Sequence, residues 1–394
     1  MRDRIIRSRR HFVLGSAAAA AAVCLPRGAR AADPVRVGLV LPLTGPFAST
    51  GRQIEAAVRL YMAKNGDSVA GQKIELLVRD DTGLAPETTK RLSQELIARD
   101  KVSFLAGFGL TPLALATAPL ATEAKIPMIV MAAATSIVPQ RSPFIVRSNF
   151  TVPQITTPIA DWGAKSGIKS VVTMVTDYAP GLECEKAFIA RFTGHGGKVL
   201  ESVRTPLRNP DYAPFLQRAK DARPDALFLF VPSGEGAAVM KQFADRGLKE
   251  AGIRLICTGD VLDDDLLQAI GPPALGVVSS HHYSAAHDSA ENKEYVSSFM
   301  KANGGLRPNF MSVGGYDGMH VIYEALRKTG GAAGDGEKLV NAMKGLSWVS
   351  PRGPMTIEAE TRDVAQDIYI RRCEMKDGKL WNVEFDKIEK VRPV

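Results

Sequence analysis

The chain reads as an α/β protein of two lobes, each built on a parallel central sheet. Three observations predict this. Short β-branched runs alternate with amphipathic segments from about residue 35 onward; the alternation pauses and begins again near residue 170; and 394 residues, 45% hydrophobic and 23% charged, hold apolar material for about two or three cores. Strand and helix alternating in this way argue for right-handed βαβ units whose sheets are covered on both faces.

The first 31 residues are read as an export signal and set apart from the fold. Arg2, Arg4, Arg7, Arg9 and Arg10 make a basic head, Phe12 to Leu25 an alanine-rich apolar segment, and Ala29-Arg30-Ala31 a small-x-small cleavage site. The apolar segment falls short of the roughly 20 residues that span a bilayer, so a soluble mature protein is expected. Val23 before Cys24 does not suit a lipid-attachment box. Ser8-Arg9-Arg10-His11-Phe12 resembles a twin-arginine signal, with general secretion as the alternative. Residues 1–31 carry seven Arg and one Asp, a net +6, so the formal +8 of the whole chain falls to +2 without them. The basic balance is therefore no argument for nucleic acid or membrane binding.

In the first unit, Val35–Leu41, Lys73–Arg79, Val102–Ala106 and Pro127–Met131 read as strands, and Gln53–Ala63, Pro86–Ala98 and Leu113–Ala124 as helices. In the second, Ser170–Val175, Lys198–Val203, Ala226–Val231, Arg254–Cys257 and Gly276–Ser280 read as strands. The helices between them are Leu182–Phe192, Tyr212–Lys220, Glu235–Arg246 and Asp263–Ala269. Beyond His282 come three helical segments, Glu291–Ala302, Ser312–Lys328 and Lys338–Lys344, and two strands, Asp367–Cys373 and Trp381–Phe385. These are too few for a third core and must complete the first two. Cys184, Cys257 and Cys373 are far apart, allowing one disulfide at most or buried free thiols.

Open parallel sheets bind ligands beyond the carboxyl ends of their strands. Here those loops are small and polar: Pro42-Leu43-Thr44-Gly45-Pro46-Phe47-Ala48-Ser49-Thr50-Gly51, Gly107-Phe108-Gly109-Leu110-Thr111-Pro112, and Ala132-Ala133-Ala134-Thr135-Ser136. Gly and Ala admit a ligand to the backbone, and Ser, Thr and free N–H groups donate to an anion such as a carboxylate. The competing explanation for each loop alone is helix capping by Ser or Thr.

The blocks "VRVGLVLPLTGPFASTGRQIEAAVRLYM", "LAGFGLTPLALATAPLATEAKIPMIVMAAATS", "VTDYAPGLECEKAF" and "RNPDYAPFLQRAKDARPDALFLFVPSGEG" together resemble the leucine/isoleucine/valine-binding type of periplasmic substrate-binding protein, which feeds ABC importers. The resemblance covers essentially the whole chain after the signal. It implies the type I periplasmic binding protein fold: two Rossmann-like lobes joined by three hinge crossings, near Thr151–Pro153, His282–Ser284 and Gly353–Met355. Lobe 1 would take residues 32–152 and 284–354, and lobe 2 residues 153–283 and 355–394. The resemblance also implies ligand contacts. Thr111, Ala133, Ala134, Thr135 and Ser136 match the carboxylate grip, Tyr178 a second-lobe aromatic, and Asp260 the acidic group that holds an amino-acid ammonium.

Three departures widen the ligand class. Asp260 stands where the family has Glu, Phe108 and Thr111 lie in a block that is serine-rich in amino-acid binders, and Thr50 occupies a position that often carries an aromatic. Such changes resemble branches that take aromatic or other small carboxylates, for which Phe47, Phe108, Tyr178, Tyr283 or Tyr316 could supply flat walls. His281 and His282 read as polar, solvated hinge residues without the acidic partners of a metal site. None of the common hydrolase, metalloprotease or nucleotide-binding signatures is met, so no catalytic residue, metal or cofactor is expected. The expected protein is an exported, periplasmic, monomeric carboxylate-binding protein serving an ABC permease and ATPase. The alternative is a binding lobe of the same fold that signals to a receptor.

Overall fold

Beginning the first sheet, β1 (Val35–Leu41) is buried along nearly its whole length, as a parallel strand covered on both faces must be. The computed structural model describes residues 33–393, so the expected export signal lies outside the described residues. After α1 (Ala48–Asn65) come β2 (Ser68–Val69) and β3 (Gln72–Asp80), then α2 (Pro86–Ala98), β4 (Phe104–Gly107), α3 (Thr111–Ala124), β5 (Met128–Val130) and β6 (Ile145–Arg147). The strands lie in the order β2-β3-β1-β4-β5-β6. Val37 of β1 faces Leu76 of β3 and Phe104 of β4 in parallel register. That register brings the ends of β1, β4 and β5 to one edge.

The second sheet begins after α4 (Val152–Lys165), with β7 (Ser170–Thr176), α5 (Ala179–Gly194), β8 (Lys198–Thr205), α6 (Ala213–Asp221), β9 (Ala226–Phe230), α7 (Gly236–Asp245), β10 (Arg254–Thr258), the one-turn α8 (Leu267–Ile270) and β11 (Val278–His281). The chain then leaves for α9 (Ala290–Ala302), α10 (Phe310–Lys328) and α11 (Gly336–Met343); α9 and α10 pack on α1, and α11 on α10 and β6. It returns as β12 (Ser347–Ser350), β13 (Gly353–Ile357), β14 (Val364–Lys376) and β15 (Lys379–Val391), extending the second sheet antiparallel. The order is β12-β13-β14-β11-β10-β9-β7-β8, with β15 on β14. The fold is thus two α/β lobes joined by three crossings.

Several elements differ from the sequence reading. The helix expected at Asp263–Ala269 shrinks to one turn because Asp263, Asp264 and Asp265 turn toward tertiary partners: Ser233, Asn382 and Ser49 respectively. The final crossing falls earlier than Gly353, since β12 already belongs to the second sheet at Ser347. The segment before Ser170, to which the sequence reading assigned no helix or strand, is α4. Its sequence carries Pro153, Pro158 and several β-branched residues, all poor helix formers. Pro153 falls in the first turn, where its missing N–H costs nothing, and Gln154 reaches back to the Thr151 N–H at 2.9 Å. All three described cysteines are free and buried.

His281 and His282 correct the expectation of solvated hinge residues. Both are fully buried where the chain leaves β11. Phe150 of the first crossing stacks on His282 at 4.8 Å between centroids, and Phe310 lies 4.2 Å from His281. None of their four ring nitrogens finds a hydrogen-bond partner among the described residues. Burial pushes His281 down to about 4 and His282 well below its ordinary value, so both rings stay neutral near pH 7. Across the same hinge, buried Arg352 pairs with Asp317 at 2.8 Å and donates to the Ser148 and Asn149 carbonyls.

A ligand cleft between the two lobes

The carboxyl ends of β1, β4 and β5 face those of β7, β9 and β10 across a narrow cleft. From the first lobe it is lined by Thr50, Gly109, Leu110, Thr111 and Ala132 to Ala134. The second lobe presents Tyr178, Pro180, Phe230, Pro232, Ser233 and Asp260, and Phe150 and Val152 of the first crossing lie between. Six of the ten residues singled out in the sequence are therefore together: Thr50, Thr111, Ala133, Ala134, Tyr178 and Asp260.

Each is placed by the chain around it. Gly107 has φ +105°, and a Cβ there would sit 2.4 Å from the Val40 carbonyl oxygen, so only glycine lets β4 turn out of the sheet so close to β1. The helix α3 then opens at Thr111 with Pro112 in its first turn and no side-chain cap. Capping is thus not what the Thr111 hydroxyl does. It sits 2.8 Å from the Thr135 hydroxyl, and both are buried. The Ala132–Thr135 platform is pinned from below: the Ala133 N–H donates to the Phe108 carbonyl at 3.0 Å and Asn149 Nδ2 to the Met131 carbonyl at 2.8 Å. Arg147, fully buried and ion-paired with Asp363 at 2.8 Å, donates to the Thr135 and Phe150 carbonyls at 2.7 and 2.9 Å. On the opposite side the Tyr178 ring lies against Phe230, with centroids 6.3 Å apart and planes 24° apart.

Four of the ten lie off the cleft lining. Phe108, in left-handed backbone at φ +67°, is buried in the first-lobe core. Thr135 is outside the lining, with its hydroxyl on that of Thr111. The Ser136 N–H donates to both Glu183 carboxylate oxygens at 3.2 Å, an interlobe contact. Tyr316 belongs elsewhere, edge-on to Tyr61 and Tyr295 on the α10 face. Among the other suggested walls, Tyr283 is fully buried, and Phe47 packs with Leu110, Leu113 and Tyr178.

At the lobe-2 end, Asp260 follows β10 and is 5% exposed. Its Oδ2 has no hydrogen-bond partner among the described residues; His281 Nε2 stands 3.5 Å away. Gly259 makes that turn possible, since a Cβ there would lie 2.0 Å from Arg371 Nη2 and 2.5 Å from His281 Cδ2. Residues 34–379 match the periplasmic binding protein family. The chain belongs to that family.

This periplasmic binding protein is 43% identical over 375 residues to the Leu/Ile/Val-binding protein homolog 6 of Brucella abortus (strain 2308), covering 94% of this chain and 96% of the relative. It is 57% identical to a solute-binding protein of an ABC transporter from Rhodopseudomonas palustris BisB5, solved in complex with 3,4-dihydroxybenzoic acid. That likeness has a TM-score of 0.89 and covers 91% of this chain and 98% of the other. A counterpart from Rhodopseudomonas palustris HaA2, in complex with p-hydroxybenzoic acid, is 40% identical with a TM-score of 0.89, covering 92% and 98%. These are binding proteins, and the chain is a binding protein rather than an enzyme. Among the described residues no helix is long and apolar enough to cross a membrane.

Phe150 and Phe230 in the lining, and Arg147 and Asn149 beneath the platform, are positions that the sequence reading did not single out. Arg147, Asn149 and Phe150 had one faint signal, an Arg followed by polar residues at the end of the buried run Ile145-Val146. Phe230 had none, being one more apolar residue in a core strand.

Proposed function

We propose that the chain is the exported, periplasmic solute-binding component of an ABC importer, closing on a small aromatic carboxylate and delivering it to a permease driven by an ATPase. The single observation that carries the ligand class is the cleft itself. Hydroxyl and backbone groups of the first lobe, Thr50, Thr111 and the Ala133–Ala134 platform, face the aromatic surfaces of Phe150, Tyr178 and Phe230. A carboxylate needs the first set and a flat ring the second. The p-hydroxybenzoate and the dihydroxybenzoate bound by two similar proteins support the same class. Both of those are transporter components, which favours transport over receptor signalling. The mature chain acts as a monomer, after either twin-arginine or general export removes residues 1–31.

Closure is a hinge motion that ligand contacts with both lobes bias. The test is a thermal-shift panel on ligand-free mature protein with benzoate, 4-hydroxybenzoate, 3,4-dihydroxybenzoate and leucine. A ligand at one hundred times its Kd adds about 2.7 kcal/mol of stability. Aromatic acids are expected to raise the midpoint. A shift with leucine and none with any aromatic acid would overturn the proposal.

A further inference from the structure

We propose a second ligand site on the second lobe, at the far end of its sheet from the cleft: a cavity that takes a small carboxylate with an apolar body. The proposal goes beyond the cleft reading and does not depend on it.

The cavity lies at the amino-terminal ends of β10 and β11 and holds about 260 Å³. Arg254 begins β10 there, and Asp260, just past the other end of that strand, lines the cleft, so the length of one strand separates the two. Trp162 in the last turn of α4, Phe243 of α7, Ile253, Leu275 and Val277 supply apolar walls. Phe243, Ile253 and Val277 belong to the packed core of this lobe, so the cavity reaches down to the core and is more than a surface dimple. At its mouth Leu275 is 44% exposed, a large apolar side chain that an apolar body in the cavity would take out of water.

Charge decides what that body carries. Lys249 and Arg254 line the cavity and no Asp or Glu does. Neither cation has a carboxylate partner among the described residues. The Arg254 guanidinium lies 5.5 Å above the Trp162 ring and donates only to the Ser166 carbonyl and hydroxyl, both at 3.2 Å and both neutral. An apolar cavity with two cations and no acid in its lining complements a molecule with an apolar body and one negative group, and an Arg beside a Lys suits a carboxylate. The body can be an aromatic ring or a short alkyl chain, which the test separates.

The experiment follows the Trp162 indole N–H signal of the mature protein by NMR, assigned with Trp162→Phe, during titration with benzoate, octanoate and the neutral amide of each. At least one acid is expected to move the signal saturably, and its amide to bind about fivefold more weakly or worse. Two cavity variants, Lys249→Glu combined with Arg254→Glu, and Leu275→Asp, should each weaken binding of that acid by about fivefold or more. All three positions are exposed and outside the cleft lining. Tighter binding of benzoate identifies a ring ligand and tighter binding of octanoate an alkyl one, and either supports the site. No saturable shift with either acid overturns the proposal. So does a shift that both variants leave unchanged, which would report binding in the cleft alone. Amides that bind native protein as well as the acids also overturn it, whether or not the variants fold.

Discussion

Thr111 and Thr135 form a relay whose order can be measured. Thr111 is among the cleft-lining residues and Thr135 is not, and their hydroxyls are 2.8 Å apart with both side chains buried. Each hydroxyl has one hydrogen to donate. If Thr111 donates to a ligand carboxylate, Thr135 donates to Thr111 Oγ1 and holds it in that rotamer. Thr111→Val then removes a hydrogen bond to a charged group, worth about 1.5–3 kcal/mol, or roughly 10- to 150-fold in Kd. Thr135→Val removes only the neutral bond behind it, about 0.5–1.5 kcal/mol, or roughly 2- to 10-fold. In the double variant there is no longer a hydroxyl for Thr135 to orient, so its affinity should match that of Thr111→Val alone. Titration calorimetry with 4-hydroxybenzoate on the three variants measures all of this. A larger loss from Thr135→Val than from Thr111→Val, or additive losses in the double variant, would mean that Thr135 touches the ligand itself, and the relay would be refuted.

Two further predictions follow from contacts outside the cleft. Asp265 of the second lobe accepts hydrogen bonds from Ser49 at 2.7 Å and Gln53 at 3.3 Å on α1, and from Asn309 at 3.2 Å. Asp265→Ala should therefore weaken ligand affinity by about 3- to 10-fold and enlarge the radius of gyration at subsaturating ligand, and unchanged values for both would refute a role in closure. His281 has a folded pKa of about 4 against an ordinary 6.5, so below 6.5 the unfolded chain takes up a proton that the folded chain refuses. Its contribution to stability is intact above pH 6.5 and is lost as pH falls from 6.5 toward 4, by about 2–3 kcal/mol in all. Urea unfolding should show the difference in stability between native protein and His281→Asn shrinking over that window, and a pH-independent difference would contradict the buried neutral ring.

The α/β alternation was legible because parallel strands covered on both faces are continuous apolar runs, and Val35–Leu41 has the same limits in sequence and structure. Pro86, Pro112, Pro153, Pro180 and Pro214 fall in the first turns of their helices, yet only Pro86 was read as a helix start. The small polar loops after β1, β4 and β5 marked the first-lobe side of the cleft, since small residues there leave room that a core would fill. What stayed hidden depended on side-chain direction. Phe108 and Thr111 share one loop, but the left-handed backbone at Phe108 turns its ring into the core while Thr111 lines the cleft. Arg147 was not singled out in the sequence, and only the fold shows it buried and bound to two carbonyls beneath the platform. The histidines misled for the same reason, because polarity alone does not say which way a hinge residue packs.

The two sides of the cleft differ in how firmly they are held, and that difference bears on how closure is decided. The first-lobe platform is fixed by buried bonds from Arg147 and Asn149, so its donors are in place before a ligand arrives. Buried contacts also bridge the lobes, Arg307 donating to the Leu380 carbonyl at 2.8 Å and Arg147 pairing with Asp363, but a second set is of another kind. Glu183 with the Ser136 N–H, Asp265 with Ser49, and Arg208 with the Leu84 carbonyl at 2.8 Å are partly or fully exposed. Water can replace each of them on opening, so each favours the closed state only slightly. The apolar contact of Phe47, Leu110 and Leu113 with Tyr178 and Leu207 is small. A ligand favours closure to the extent that it touches both lobes at once, because a ligand held equally well by either state shifts nothing. A molecule that fills the lobe-1 platform but falls short of Tyr178 and Asp260 should bind weakly and leave the lobes apart.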